Sequence, residues 1–254
     1  MTLAATASRT ATYLTSDSNP PTGAGKMATD IQSSTAKRKL KFLAGFSLYF
    51  VALWFLWDTP VTYPLKIFVV MLHEISHGIA SLATGGTIEK IVLDPYQGGA
   101  CHCGGGNAFI TLSAGYLGSL FWGVVLLAAT GVRRIPNQAL VFLVGALVFL
   151  LTAMYVRNGF GLFFGLAFGA TLMFAGRKLP SAASRVLMTT LGLTSCLYAI
   201  LDIKSDVLDR PELRSDAAML AELTGVPTMT WGVIWIAVAA VVSGLAFLRA
   251  YRAA

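Results

Sequence analysis

Long apolar runs separated by short polar segments make up most of the chain from Phe42 onwards. Each run approaches the roughly 20 residues that an α-helix needs to cross a bilayer. Only 12% of the residues are Asp, Glu, Lys or Arg, about half the usual share in a soluble domain. The sequence therefore predicts an all-α, polytopic transmembrane bundle of six or seven spans in a lipid bilayer. The runs cover about residues 42–57, 64–83, 108–130, 139–156, 160–175, 183–203 and 229–248.

The net charge of +7 arises from 19 basic residues beside only 12 acidic ones. Most of the basic residues lie between the apolar runs, as in membrane proteins, so the charge does not indicate a nucleic-acid partner. They divide between the two sides of the predicted membrane, and the positive-inside rule favours neither orientation. Residues 1–41 are predicted to be a disordered polar tail that ends in a basic juxtamembrane cluster, and residues 42–250 to be the transmembrane domain.

Two longer connections interrupt the runs. Residues 85–107 are rich in glycine, and the β-branched stretch Thr87–Leu93 predicts a strand within a hairpin-like insertion after the second span. Residues 204–228 hold most of the remaining charge. They predict a short amphipathic helix over residues 215–223, with Ser215 as its N-cap and Gly225 as its stop.

The second run contains His73-Glu74-Ile75-Ser76-His77. A spacing of four residues puts both imidazoles on one helix face, where they can hold one Zn²⁺ ion. Glu74 is then placed to take a proton from a water molecule at the ion. Ionisable groups at membrane depth are costly and usually functional, and two of the three histidines of the chain lie in this motif. The alternative interpretation is a hydrogen-bonded cluster that joins helices.

A catalytic zinc site needs a third protein ligand. Asp202 is the only acid within the third to seventh runs, which makes it the candidate. Asp206, one helical turn later, is the second choice. A residue at a helix end that faces the membrane interface is the alternative role for Asp202.

A second cluster of soft ligands, Cys101-His102-Cys103, lies in the glycine-rich insertion. Alternate side chains lie together only in an extended segment, and no second cysteine pair completes a metal site. The favoured interpretation is a turn with incidental thiols, and the alternative is a redox or metal-binding role.

The third run contains the small residues Gly115, Gly118 and Gly123 at spacings that favour close helix packing. Helix–helix contact is the favoured interpretation. The alternative is a flat surface that lets this helix approach the histidine-bearing helix or an extended substrate.

These motifs together resemble the site-2 protease family of intramembrane zinc metallopeptidases, and in particular a small branch of peptidase-like membrane proteins. The resemblance covers about residues 42–240. It is carried by His73-Glu74-Ile75-Ser76-His77-Gly78, Gly85-Gly86 and Ala114-Gly115-Tyr116-Leu117-Gly118. Stretches similar to Asp202-Ile203, Ser215-Asp216-Ala217 and Trp231-Gly232-Val233-Ile234-Trp235 recur in that branch.

The resemblance implies a zinc ion held by His73, His77 and a distant aspartate, matched here to Asp202, with Glu74 as the catalytic acid/base. Better-known members place a glycine after that aspartate, where this chain has Ile203. The implied reaction is hydrolysis of a peptide bond in or near a transmembrane segment of a membrane protein substrate. Pairing of the unwound substrate with the predicted strand Thr87–Leu93 is expected. The alternative function is a non-catalytic membrane scaffold or chaperone that retains the peptidase fold.

Overall fold

A computed structural model describes residues 22–57, 59–132, 134–209 and 214–253 of the chain. This part contains eight α-helices and one two-stranded hairpin. Contacts divide the chain into an N-terminal unit that ends at Leu48 and a compact unit, Tyr49–Ala253, to which all contacts below belong. The helices are α1 (Thr22–Leu56), α2 (Tyr63–Ala83), α3 (Ala108–Ala129), α4 (Asn137–Tyr155), α5 (Gly159–Lys178), α6 (Ser181–Ile203), α7 (Asp216–Thr224) and α8 (Thr228–Ala253), and the strands are β1 (Thr87–Leu93) and β2 (Gly99–Gly104).

Seven helices in the described part of the chain are long and apolar enough to cross a bilayer. They are α1 from Gln32, α2 to α5, α6 together with the following residues to Val207, and α8. From α2 onwards, each span begins close to the start of its predicted apolar run. The protein is therefore a multi-pass integral membrane protein, and the predicted helical bundle is confirmed.

Helix α1 begins well before the first predicted run. It starts at Thr22, so the second half of the segment predicted to be a disordered tail is helical, whereas residues 1–21 lie outside the described residues. Ala24, Lys26 and Gln32 have good helix propensity. A polar composition indicates that a segment forms no hydrophobic core. It does not prevent that segment from extending the helix of an adjacent membrane span.

The predicted hairpin is confirmed. β1 and β2 pair antiparallel, from Thr87 opposite Gly104 to Leu93 opposite Gly99. The register shifts between Ile88 and Lys90, which places a β-bulge at Glu89. After β2, Gly105 and Gly106 have φ angles of 68° and 73°, which only glycine adopts freely, and they turn the chain into α3.

Helix α2 is the most enclosed span. Within its apolar window 78% of the residues are buried, against 50% or less in the other spans. It contacts α3, α6 and both strands. Its buried residues Ile67, Phe68 and Met71 form a core with Ile91 and Leu93 of β1. The ionisable residues of α2 are therefore surrounded by protein.

The short helix α7 lies where it is predicted. The Ser215 hydroxyl accepts a hydrogen bond from the Ala218 amide, and Gly225 ends the helix with a left-handed φ of 74°. Ala217 and Leu220 are buried in an apolar cluster with residues of α3, α6 and α8. Packing in this cluster fixes Asp216, the first residue of α7, close to the neighbouring helices of the bundle. The other buried members are Tyr116, Ile203, Val207 and Trp235.

Candidate metal centre

His73 and His77 lie on one face of α2, with ring centroids 4.7 Å apart. Nδ1 of His77 is 2.7 Å from the carbonyl oxygen of Thr111 on α3. A carbonyl only accepts, so Nδ1 carries the proton and donates. Nε2 of His77 is then left with a free lone pair, the form in which imidazole binds a metal.

The third member of the cluster is Asp216, the first residue of α7. Its Oδ2 lies 3.0 Å from Nε2 of His73 and 3.2 Å from Nε2 of His77. All three residues are buried, and their donor atoms lie within 4.8 Å of one another. Ligand atoms about 2.0–2.2 Å from a tetrahedral zinc ion are separated by about 3.3–3.6 Å, so the observed spacing is close to that of a metal site.

The environment of Asp216 Oδ2 fits the binding of a cation. No described group forms an aligned hydrogen bond with this buried atom, although both imidazoles are near. A buried carboxylate without a partner is costly. Burial by itself raises the pKa of Asp216, but the adjacent His77 and His73 outweigh it and hold that pKa below its ordinary value. The carboxylate is thus kept in the charged form that a metal requires.

Gly115 of α3 leaves space for this cluster. A Cβ atom at Gly115 would lie 2.6 Å from Asp216 Oδ2 and would also collide with the His73 ring. One turn away, Gly118 packs directly on Ser76 of α2. The glycines of the third run therefore do more than join helices: as the alternative interpretation expects, they let α3 approach the histidine-bearing helix.

Glu74 is buried below the strand β2. A Cβ atom at Gly99 would lie 2.7 Å from both Cγ and Oε1 of Glu74. The backbone amide of Cys101 faces the Glu74 carboxylate. Glu74 therefore lies beside the possible metal ligands but is not one of them. The backbone of β2 packs against its side chain.

Asp202 lies on the other side of His73. Its Oδ2 is 3.9 Å from Nδ1 of His73, and it is not a member of the possible metal-binding trio. Asp206 lies in the π-helical turn Lys204–Asp209 that continues α6, where it accepts a hydrogen bond of 3.1 Å from the Tyr116 hydroxyl. The structure thus brings Asp216, rather than Asp202 or Asp206, to the side that the two imidazoles share.

Sequence reasoning did not select Asp216 because the search for a third ligand considered acids inside the apolar runs. Two signals pointed to it. An acid follows the N-cap Ser215 of a helix that the sequence predicts, and the stretch Ser215-Asp216-Ala217 belongs to the noted resemblance. Neither signal shows that α7 folds back onto α2, because that contact depends on packing between distant segments.

The possible ligands and Glu74 face a cavity of about 740 Å³. Among the described residues that line it, β2 contributes Gly99 to Cys101 and Cys103, whereas β1 contributes none. The sequence predicted that β1 would meet a substrate, but β1 is shielded by β2 on one side and forms a bridge from Ile91 to Val156 on the other. An extended chain in the cavity would meet β2.

The Sγ atoms of Cys101 and Cys103 are joined in a disulfide, and Cys196 is a buried free thiol. The two linked residues lie on alternate positions of β2, so both side chains project from the same face of the strand.

Comparison with known proteins adds one finding. The family model of the M50B-like peptidases matches residues 46–246, which include Glu74 and the possible metal ligands His73, His77 and Asp216. No curated protein and no solved structure matches the chain.

Proposed function

We propose that this chain, which belongs to the M50B-like peptidase family, is an intramembrane zinc metallopeptidase that cleaves a membrane protein substrate in or beside a transmembrane segment. The observation that carries the proposal is the convergence of His73, His77 and Asp216 beside Glu74 in one cavity. The burial of Glu74 and His77 within α2, the most enclosed span, supports a reaction at membrane depth.

His73, His77 and Asp216 are proposed to hold the zinc ion. Two imidazole nitrogens and one carboxylate oxygen form a ligand set found in catalytic zinc sites, which keep a fourth position open. A bound zinc ion supplies a Lewis acid that activates water and polarises the scissile carbonyl. The buried Oδ2 of Asp216, which forms no aligned hydrogen bond with a described group, and the space that Gly115 leaves support an ion at this point.

Asp202, the third ligand predicted from the sequence, is proposed to orient His73 instead. A histidine that binds a metal through Nε2 generally donates Nδ1–H to a carboxylate, a carbonyl or water. Asp202 is the carboxylate next to Nδ1 of His73, as the Thr111 carbonyl is next to Nδ1 of His77. Nδ1 of His73 and Oδ2 of Asp202 are 3.9 Å apart, so a small movement of either side chain would bring them within hydrogen-bond distance.

Glu74 is proposed as the general base and acid. It accepts a proton from the attacking water and delivers that proton to the nitrogen of the leaving amine. The close contact with Gly99 and the neighbouring Cys101 amide restrict the position of its carboxylate. β2 supplies the strand edge along which an unwound substrate segment would lie.

The test is the substitution Glu74→Gln in the purified full chain. Because the amide keeps the shape of the side chain but accepts no proton, we expect cleavage of a membrane substrate to fall about 10²- to 10⁴-fold. Zinc content, measured by elemental analysis, should stay at the wild-type level of about one ion per chain because Glu74 is not a ligand.

The same variant distinguishes a peptidase from a scaffold or chaperone. A substrate that accumulates uncleaved in cells with Glu74→Gln supports the peptidase. Equal processing in wild type and variant, with zinc bound in both, would contradict the proposed role of Glu74. A wild-type protein without zinc would contradict the metallopeptidase itself and favour the non-catalytic alternative.

A further inference from the structure

We propose that Cys101 and Cys103 are a reversible redox pair whose state sets how firmly β2 holds Glu74. Neither cysteine is among the residues proposed above to bind zinc or to transfer protons. It lies in the one strand that borders the cavity, two residues from the contact between Gly99 and Glu74. Its consequence for cleavage rests on the proposed function, whereas the redox chemistry does not.

The first support is the position of the two cysteines relative to Glu74. The backbone amide of Cys101, one end of the disulfide, faces the Glu74 carboxylate, and Gly99 two residues earlier lies in contact with it. Gly78 of α2 lets the hairpin pack closely on this helix: a Cβ atom there would lie 2.6 Å from Cδ1 of Ile88 on β1, and Cys101 Sγ is in ordinary contact at 3.8 Å. A change at Cys101 is therefore transmitted directly to the glutamate and to the helix that carries it.

The second support is the shape of the hairpin at this point. A disulfide between alternate residues of a strand closes a small ring that includes the backbone of His102, and this ring restricts the local backbone. The β-bulge at Glu89 lies opposite the Cys103 end of this ring, because Ile88 pairs with Cys103 and Lys90 pairs with His102. The irregular point of β1 and the linked segment of β2 thus coincide, as expected if the disulfide shapes the hairpin.

The third support is access. Cys101 and Cys103 both line the cavity of about 740 Å³, which has room for a small reductant. Both residues are partly exposed, in contrast to Cys196, which is 6% exposed within the helical core. A reagent can therefore reach the pair while the protein is folded.

The reaction is thiol–disulfide exchange with an external dithiol. One thiolate of the dithiol attacks a cysteine sulfur and breaks the Cys101–Cys103 bond, and the other cysteine leaves as a thiolate and takes up a proton. The second thiolate of the reductant then attacks the mixed disulfide, which closes the reductant's own disulfide and releases the first cysteine. Two electrons pass to the cysteine pair, and the two protons of the dithiol end on the cysteines.

Alkylation of the folded full chain tests the redox pair. Purified protein is treated with iodoacetamide before or after dithiothreitol, and its peptides are weighed by mass spectrometry. We expect no label on Cys101 or Cys103 before reduction and one on each afterwards, while Cys196 stays unlabelled as an internal control for folding. Labels on both cysteines in the air-oxidised protein, without reductant, would overturn the proposal.

Amide hydrogen exchange tests the effect on β2. After reduction we expect a loss of protection in β2 and a fall in cleavage, since the Cys101 amide holds Glu74 less firmly. The variant carrying Cys101→Ser and Cys103→Ser should match the reduced protein with or without dithiothreitol. The matched control Cys196→Ser should keep the wild-type response. Equal exchange in the oxidised and reduced wild type would overturn the proposal.

The variant Glu74→Gln separates this proposal from the proposed function. Its disulfide and its exchange response should persist although it does not cleave. A wild-type protein that shows the redox response without any peptidase activity would refute only the proposed function. Cleavage that is retained unchanged after reduction, with both cysteines labelled, would refute only the control of Glu74 by the disulfide.

Discussion

The interface between α2 and α3 and the interface between α4 and α5 both pack through glycine, and they use the missing side chain in different ways. Between α2 and α3, a Cβ atom at Gly115 or Gly118 would collide with functional or polar side chains, those of His73, Asp216 and Ser76. Between α4 and α5, a Cβ atom at Gly145 or Gly169 would instead come within 3 Å of backbone atoms of the partner helix. The first pair makes space for polar groups, and the second brings two backbones together.

The difference is reflected in the charge of each pair. α4 contains no charged residue, and α5 carries only Arg177 and Lys178, both in its last turn. Small residues allow such apolar helices to gain van der Waals contact, which drives helix association in membranes. In α2 and α3 the same residue type allows buried ionisable groups to meet. The role of a glycine in a membrane span therefore depends on which atoms lie opposite it in the neighbouring helix.

The largest expected effect is on zinc affinity, which should depend on residues beside the α2–α3 interface and not on the α4–α5 interface. Asp216→Ala removes a proposed ligand, so the apparent zinc affinity should fall by more than about 100-fold, whereas Asp202→Asn should lower it by about 10- to 100-fold, as for a residue that orients a ligand. Zinc titration against a competing chelator measures both. Thr152→Val, between α4 and α5, is the control with unchanged affinity. A greater loss in Asp202→Asn than in Asp216→Ala would restore Asp202 as the third ligand.

The next effect compares equivalent substitutions of glycine. Gly115→Ala and Gly169→Ala each add one methyl group to a filled interface, which costs about 1–3 kcal/mol of stability. Only Gly115→Ala should also weaken zinc binding, by about 10- to 100-fold, because its Cβ displaces His73 and Asp216. Thermal unfolding and zinc titration of both variants measure the two quantities. Wild-type zinc affinity in Gly115→Ala would remove the distinction between the helix pairs.

The smallest effect concerns hydroxyl groups in the two interfaces. The Trp122 indole N–H donates to Ser76 Oγ across α2 and α3, so Ser76→Ala should cost about 0.6 kcal/mol, the average for such bonds in membranes. The Thr152 hydroxyl donates to the Val148 carbonyl within its own helix, and its contact outside the helix is Met71 Sδ of α2 at 3.7 Å, a weak acceptor, so Thr152→Val should cost less. Denaturation of both variants in the same detergent checks the order. A larger loss of stability in Thr152→Val than in Ser76→Ala would show that the α4–α5 interface also depends on polar contacts.

Much of the architecture follows from local signals in the sequence. The apolar runs predict the spans from α2 onwards, Ser215 and Gly225 mark the ends of α7, and the β-branched stretch predicts β1. These features depend on neighbouring residues in the chain, through helix length, capping and strand propensity. The start of α1 at Thr22 is missed because composition alone was used to predict disorder there.

The site was only partly accessible to the same reasoning. His73, Glu74 and His77 share one helix, so their common location follows from the helical repeat. The roles proposed for them remain predictions. Asp216 reaches them from a helix far along the chain, through packing of Ala217 and Leu220 against Tyr116, Ile203 and Trp235.

The sequence by itself thus determined residence in the membrane, the order of the spans and the face that carries the two histidines, because bilayer thickness and helical periodicity act on consecutive residues. Tertiary structure alone decided which aspartate meets the imidazoles, which strand borders the cavity and where the cysteine pair lies relative to Glu74. Those contacts join segments far apart in the chain, and they are selected by complementary packing of the whole bundle, which no local pattern records.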